Sequence, residues 1–354
     1  MFGGVVASEY ERTAFLSSSG NDGTASLNEP SSPYGTVAGA LGALSSAYPT
    51  GAVTLRLLTS VSDGANFSGL AQLHERLTVM SHDETNYNIG TLYGLSQGTN
   101  LLFDAISVYE LVWDAEINTT ASPIDGGTVT GLNGAEIVNL IGTGGNGGSN
   151  GANGSDAYAD GSNGNSGSDG EYPTDGESGG NGSYAGAGAG GAGDPGKGGW
   201  SVTLDGITAL NATLSGGTGM WGGNGGNASS NGGNGGNGGS ATGPSDANGG
   251  NGGNGGYGGD AYGGEGGNGG NGGDGGNLTL QNGAGCSNFT SSGGSWGGAG
   301  YGGSASSSAG NAGTGGSGYG FGTSGTSGNV GSGGSYYNGN NGIEGSLGAS
   351  GSIL

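Results

Sequence analysis

Only one cysteine, Cys286, and only four basic residues, Arg12, Arg56, Arg76 and Lys197, occur in 354 residues. A lone cysteine excludes an intrachain disulfide and gives no sign of an oxidising compartment. The 27 acidic residues leave a formal charge of −23, which repels phosphate backbones and anionic headgroups, so nucleic acid is excluded as a partner. Proline is also scarce, seven in all, which rules out collagen's period-three helix despite 99 glycines. No apolar run approaches the ~20 residues needed to cross a bilayer, so membrane insertion is not expected. The opening Met1-Phe2-Gly3-Gly4-Val5-Val6-Ala7-Ser8-Glu9 lacks both the basic start and the apolar stretch of a signal peptide, which predicts synthesis in the cytosol and release by another route. Hydrophobic residues are 30% of the chain, too few for an ordinary core throughout; most of the chain must be disordered or ordered by other means.

What is present divides in two. Residues 1–141 hold three of the four Arg, both His and nearly all the long apolar runs, and read as a small folded domain of mixed α and β structure. Val53 to Leu58 reads as a strand, while Leu70, Leu73, Leu77 and Met80 have helical spacing. Thr36 to Ala47 predicts a short helix ended by Pro49, and Leu101 to Glu116 packs as a strand pair or a helix. From Gly142 the chain turns to triplets. In Gly249 to Gly276, Gly-Gly-x reads as one register interrupted only by Ala261-Tyr262, with Asn, Tyr, Asp or Glu at x. Strand-length apolar segments punctuate the glycine: Ile137 to Ile141, Trp200 to Leu204, Leu210 to Leu214, Leu278 to Leu280, and Ile353-Leu354.

A period of three matches the polyproline II helix, with three residues per turn and no internal hydrogen bonds. In Gly-Gly-x two of its faces are bare, so backbones can approach closely enough to bond sideways. The expectation is a glycine-rich polyglycine type II sandwich over residues 142–354, with short β segments, few or no α-helices, and Asn, Asp and Ser on its flat surfaces. Gly249, Gly252, Gly255, Gly258, Gly266, Gly269, Gly272 and Gly275 are its scaffold. The opposing reading is a floppy linker, because glycine loses the most backbone entropy on ordering.

Chemistry-bearing motifs are sparse. Chance G-x-G-x-x-G matches are unavoidable here, and no G-x-x-x-x-G-K-[ST] occurs, Lys197 being followed by Gly198. Gly269 to Asn277 approaches a calcium-roll repeat, but Gly276 fills its apolar position. Loop acids such as Asp156, Asp160, Asp169, Asp175 and Glu177 read as solvated. His74, His82 and Cys286 lack catalytic neighbours in the sequence. No catalytic residue, metal or cofactor is expected.

The aromatics of the glycine region carry more information. Tyr158, Tyr172, Tyr184, Trp221, Tyr257, Tyr262, Phe289, Trp296, Tyr301, Tyr336 and Tyr337 fall mostly between triplet runs or at their ends, among Ser, Gly and Asn. That is the composition of binding loops, where rigid amphipathic rings supply contact area at low entropic cost. Gly-Gly-Asn blocks separated by Tyr/Ser-rich segments, following a compact N-terminal part, resemble the tail-fibre tip adhesins of T-even-like phages. The resemblance implies a virion protein whose residues 1–141 attach to a trimeric tail fibre and whose loops bind a host cell-surface receptor, an outer-membrane protein or a glycan. It also implies loops at Tyr158 to Tyr184, Trp200 to Trp221, Ser240 to Asn248, Ser287 to Trp296 and Ser304 to Asn311. The triplets also resemble springtail antifreeze proteins, so the alternative is a structural or ice-binding surface protein acting through flat Asn/Ser faces.

Overall fold

The computed structural model describes residues 10–114 apart from 69, 71 and 74, then 121–243 and 246–354. His74 lies outside the described residues. Strand β1 (Thr13–Leu16) is followed by α1 (Val37–Ala47), β2 (Val53–Leu57), β3 (Ala65–Asn66), β4 (Leu77–Ser81) and β5 (Tyr87–Leu95). Next come β6 (Thr99–Asp104), β7 (Ile106–Trp113), β8 (Ile124–Leu132) and β9 (Glu136–Thr143). The glycine region adds β10 (Ala157–Tyr158), β11 (Ala185–Gly186), β12 (Trp200–Asp205), β13 (Thr208–Ser215), β14 (Ala228–Asn231) and β15 (Ala261–Tyr262). It ends with β16 (Leu278–Gln281), β17 (Gly285–Ser292), β18 (Ala305–Ser308) and β19 (Tyr336–Tyr337).

Two sheets share the chain turn by turn: β1-β2-β4-β6-β8-β12-β16 in one and β3-β5-β7-β9-β13-β17 in the other, every pair parallel. Each coil gives one strand to each sheet, which makes a two-sheet parallel solenoid. Period-two burial builds its interior. Val53, Leu55 and Leu57 point inward from β2, and Trp200, Val202 and Leu204 from β12. Successive coils put like on like: Leu101, Val129, Leu204 and Leu280 form one row, and Leu92, Leu111, Leu140, Ala212 and Phe289 the facing one. Burying each Leu stabilises by roughly 1.5–3 kcal/mol. On the outer side of the second sheet Asn139, Asn211 and Asn288 stack, each amide nitrogen donating to the carboxamide oxygen of the coil before at 3.0 and 3.1 Å.

Helix α1 packs on β1, β2 and β3 through Val37, Ala40, Leu41 and Leu44. Thr36 caps it, its hydroxyl accepting the Gly39 N–H at 3.0 Å, and the Asp63 carboxylate accepts the Val37 N–H at 2.8 Å. Pro49 follows two residues after its end, as expected. The helical spacing at Leu70 to Met80 misleads. Leu70 and Leu73 sit in successive turns whose N–H groups reach back three residues, to Phe67 and Leu70, and β4 then begins at Leu77. Turns and helices share the three-residue step, so spacing alone does not separate them.

These observations correct the expected fold class. The regular structure is parallel β-sheet in four sheets, 31% of residues in strands against 3% in helix, rather than a mixed α+β domain followed by a polyglycine II sandwich. The apolar segments between glycine blocks are the cause, because they pair onto strands that precede residue 142 and carry the solenoid to the end of the chain. The coil grows instead. Thr54 stands opposite Thr78 and Thr78 opposite Leu102, 24 residues per turn. From Thr130 to Asp205 to Gln281 a turn takes 75 and then 76 residues. The added length leaves each long coil as an outgoing segment (144–170, 216–241, 293–319) and a returning one (171–199, 249–277, 322–352).

The six segments are joined through the backbone. Outgoing segments bond to outgoing ones, as in Gly154 N–H to Asn224 O (2.8 Å) and Gly225 N–H to Tyr301 O (2.8 Å), and returning to returning, as in Gly255 N–H to Asn329 O (2.8 Å). A second set runs across: Gly191 to Ala152, Gly223 to Gly191, Gly267 to Gly223, Gly300 to Gly267 and Gly342 to Gly300, at 2.7–2.9 Å. In triplets such as Gly222–Asn224 the third amide is taken by a side chain, Asn153 Oδ1 accepting from Asn224 N and, one coil on, Asn224 Oδ1 from Tyr301 N, both at 2.9 Å. All three N–H groups of Gly222–Asn224 therefore have partners, with little apolar core. Midway along the arms the triplet phase breaks and two three-stranded sheets form, β10-β14-β18 and β11-β15-β19, over a small cluster of Ala185, Ala228 and Ala261. Ala261-Tyr262 therefore marks a shift of register.

Glycine is required by proximity. A Cβ on Gly253 would fall inside the radius of the Glu177 carbonyl oxygen, and one on Gly267 inside that of Gly191. The scaffold residues Gly249, Gly252, Gly255, Gly266, Gly269 and Gly272 each face a backbone carbonyl in this way, whereas Gly258 and Gly275 face the hydroxyls of Ser307 and Ser291.

Candidate binding surfaces on the glycine arms

The arms reach their tips at 170–173, at 241–243 with 246–248, and at 318–322. At these tips Tyr172 is 85% and Phe321 95% exposed, and the first two turns enclose a cleft of about 430 Å³ between Glu171, Tyr172, Pro173, Asp246, Ala247 and Asn248. Phe321 is held by its own N–H, which donates to Asp246 Oδ1 at 2.8 Å, beside Gly320 in left-handed backbone (φ 64°).

The belt midway along the returning arms carries Tyr184, Tyr262 and Tyr337, one per coil. Their ring centroids are 5.4 and 5.0 Å apart, and the second pair lies nearly parallel at 17°. Stacking turns the faces of these rings toward one another, so their edges and hydroxyls meet solvent. Burial raises the Tyr262 phenol above its usual range, with Asp260, Tyr337 and Tyr184 adding to the effect.

Near the root of the arms a groove of about 440 Å³ brings together Trp221, Trp296, Tyr301, Asn341 and Glu344. The Trp221 indole lies over Gly298 of the next coil, at a place where a Cβ would strike its six-membered ring. One ring face thus rests on backbone while the side chain is still 59% exposed.

A further cavity of about 880 Å³ lies elsewhere, between the start of α1 and the outer side of the second sheet, where Asp63, Ser107, Tyr109 and Glu136 meet. These residues come from three coils, Ser107 and Tyr109 sharing β7, and no sequence pattern links them.

The structure places the sequence-predicted aromatics unevenly. Tyr172 alone among them lies at an arm tip. Tyr158, Tyr184, Tyr262, Tyr336 and Tyr337 sit in or beside the short belt strands, Tyr257 is an exposed triplet side chain, and Phe289 is half-buried on β17 against the solenoid core. Of the segments expected as loops, the described residues of 240–248 lie at a tip and 158–184 contains one. Residues 200–221 instead hold β12 and β13, 287–296 overlaps β17, and 304–311 holds β18. The third tip, with Tyr319 and Phe321, lies outside the segments expected as loops although both rings belong to the glycine region's aromatics; its signal is the loss of triplet phase at Gly318 to Gly322. Cys286 is half-buried on β17 and burial pushes its thiol up, while His82 packs edge-on against Phe15 with centroids 5.8 Å apart. No helix among the described residues is long and apolar enough to cross a membrane.

No protein-family model matches the chain, and no curated protein does. Among solved structures, the chain is similar to a nine polyproline type II helical bundle springtail antifreeze protein from Granisotoma rainieri. That match has 26% identity over 51% of this chain and 94% of that one, with a TM-score of 0.09. A superposition that poor carries no argument about fold or function.

Proposed function

We propose that the protein is a viral tail-fibre adhesin that binds a host cell-surface receptor without catalysis, through aromatic side chains displayed on the glycine arms. The observation that carries this reading is the placement of exposed Tyr, Trp and Phe on the arms, with the amides of Phe321 at a tip and of Tyr301 and Trp221 at the roots held by Asp246, Asn224 and Asn150, and Tyr172 exposed at a second tip. Such rings lose little further entropy on binding, which is the physical advantage of a pre-organised recognition surface. In this reading residues 1–141 attach to a trimeric tail fibre or another tail component, and the protein belongs to the virion.

The test is adsorption. Labelled protein should coat host cells and compete with the virion for them, and Tyr172→Ala with Phe321→Ala should reduce coating at unchanged melting temperature. Failure to bind any cell surface, together with thermal hysteresis and faceted ice crystals, would move the function to the flat Asn/Ser faces of the alternative reading.

A further inference from the structure

The groove at the root of the arms has chemistry of its own. We infer that it binds a neutral saccharide, with a pyranose ring against the Trp221 indole; the inference rests on the receptor-binding reading and names the ligand class for it.

Three features converge. The first is a platform: the Trp221 ring rests against Gly298 and is 59% exposed where it lines the groove, and Trp296 (41% exposed) and Tyr301 (67% exposed) stand around it. The axial C–H face of a pyranose is a flat apolar surface of matching size, and an aromatic face attracts the positive edge of such C–H bonds. The second is hydrogen bonding. Asn341 Oδ1 already accepts the Gly302 N–H at 2.9 Å, so its NH₂ is what it offers to a ligand, while the exposed Glu344 carboxylate accepts. A sugar hydroxyl both donates and accepts and fits between them. The third is charge. Glu344 is the groove's charged group, no Lys or Arg lines it, and the protein as a whole carries −23. Carboxylated or phosphorylated sugars are repelled from such a site, which leaves hexoses, deoxyhexoses and N-acetylated sugars.

The platform is held from below. Trp221 N–H donates to Asn150 Oδ1 at 3.1 Å, Tyr301 N–H to Asn224 Oδ1 at 2.9 Å, and Gly222 N–H to the Gly298 carbonyl at 2.9 Å. The backbone that carries the rings is therefore held by bonds among three coils before any ligand arrives.

The experiment titrates the full chain with dextran, mannan and N-acetylglucosamine oligomers, and with polysialic acid and polygalacturonate, following tryptophan emission. Trp113 and Trp200 are buried, so a change in exposed emission reports Trp221 and Trp296. The expected result is that at least one neutral probe shifts the emission and the anionic ones do not. Trp221→Ala and Trp296→Ala should each weaken that binding about tenfold or more, the 1.4 kcal/mol scale of one aromatic contact. Val330→Ala, an exposed apolar residue on the last returning arm, should leave it unchanged, and melting curves confirm that each variant is folded. Glu344→Lys supplies an independent arm, since it should admit polygalacturonate. The inference is overturned if no neutral probe binds, if anionic probes bind as well as neutral ones, or if both Trp variants bind as the parent does. Cell coating that survives both Trp substitutions would overturn the saccharide groove and leave the receptor reading standing; absence of both sugar and cell binding would remove the two together.

Discussion

Asparagines in the triplets of the second long coil accept amides of the coil that follows, a bond that Asn329 in the last coil does not make, and this asymmetry can be measured. Asn254 Oδ1 accepts the Asn329 N–H at 2.8 Å while Gly255 N–H donates to the Asn329 carbonyl at 2.8 Å, so the two residues close a ring between the second and third long coils. Eight Asn or Asp oxygens between 248 and 277 act in this way. Asn329 lies in the last long coil, and its side chain receives no such bond. A hydrogen bond of this kind contributes about 0.5–1.5 kcal/mol net, nearer the lower end for an exposed pair. Asn254→Ala should therefore cost about 0.5–1 kcal/mol and Asn329→Ala close to nothing, although both remove an exposed asparagine from the same kind of triplet. Replacing Asn251, Asn268 and Asn271 together should lose about 1.5–3 kcal/mol, or about 3–10 °C of Tm on the usual scale for domains of this size. Asn254→Asp keeps the accepting oxygen and should restore most of the loss. Calorimetric melts of the five proteins decide it. Equal costs at Asn254 and Asn329 would refute the ladder and reduce the asparagines to solubilising decoration.

Gly253→Ala should destabilise by about 1–3 kcal/mol or more, because the crowding atom is backbone bonded on both sides and cannot move away. Gly42→Ala, in α1 with nothing within 4 Å of the new methyl, should stabilise by about 0.5–1 kcal/mol; denaturant midpoints read both. The buried indoles form a contrasting pair: Trp113 Nε1 donates to the Gly126 carbonyl at 3.0 Å, whereas Trp200 Nε1 has no partner. Trp113→Phe should thus cost more than Trp200→Phe, since only the first leaves a buried carbonyl unpaired. Asp22 titrates below its ordinary value of 3.8; burial alone would raise it, and bonds from the Thr36 hydroxyl and the Thr36 and Gly35 amides outweigh that. A depressed carboxyl contributes stability above its unfolded pKa that is lost as pH falls through the folded one. Melting temperature should therefore drop below about pH 4, and Asp22→Asn should flatten that drop. Cys286, raised by burial, should alkylate more slowly at pH 8 than a free cysteine peptide.

Much of the solenoid was legible one element at a time. Thr36 and Pro49 bracket α1, and the period-two runs at Val53 and Trp200 are strands. What the residues did not reveal is that Trp200 pairs with Ile124, across a gap of glycine, through the same parallel register that joins β2 to β4. Parallel pairing is set between coils, and a period of 24 that expands to 75 or 76 leaves no constant spacing to detect. The aromatics were found by composition, but their grouping was not. Tyr262 and Tyr337 stack because the parallel register sets them opposite each other, and Tyr184 joins them from just before Ala185, the partner of Ala261; Trp221 reaches Gly298 only once those coils are superposed.

The arms hide little oil-like surface, and heat capacity is set by such surface. Unfolding them should add little to ΔCp, since exposed apolar area raises it and exposed polar area lowers it. Their stability then follows a nearly straight line in temperature rather than a dome, growing steadily as the solution cools. The solenoid that carries them, lined with Leu, Val, Phe and Trp, keeps the ordinary curvature. One chain thus joins a part that weakens toward freezing to a part that does not, and near 0 °C the arms should be the firmer of the two.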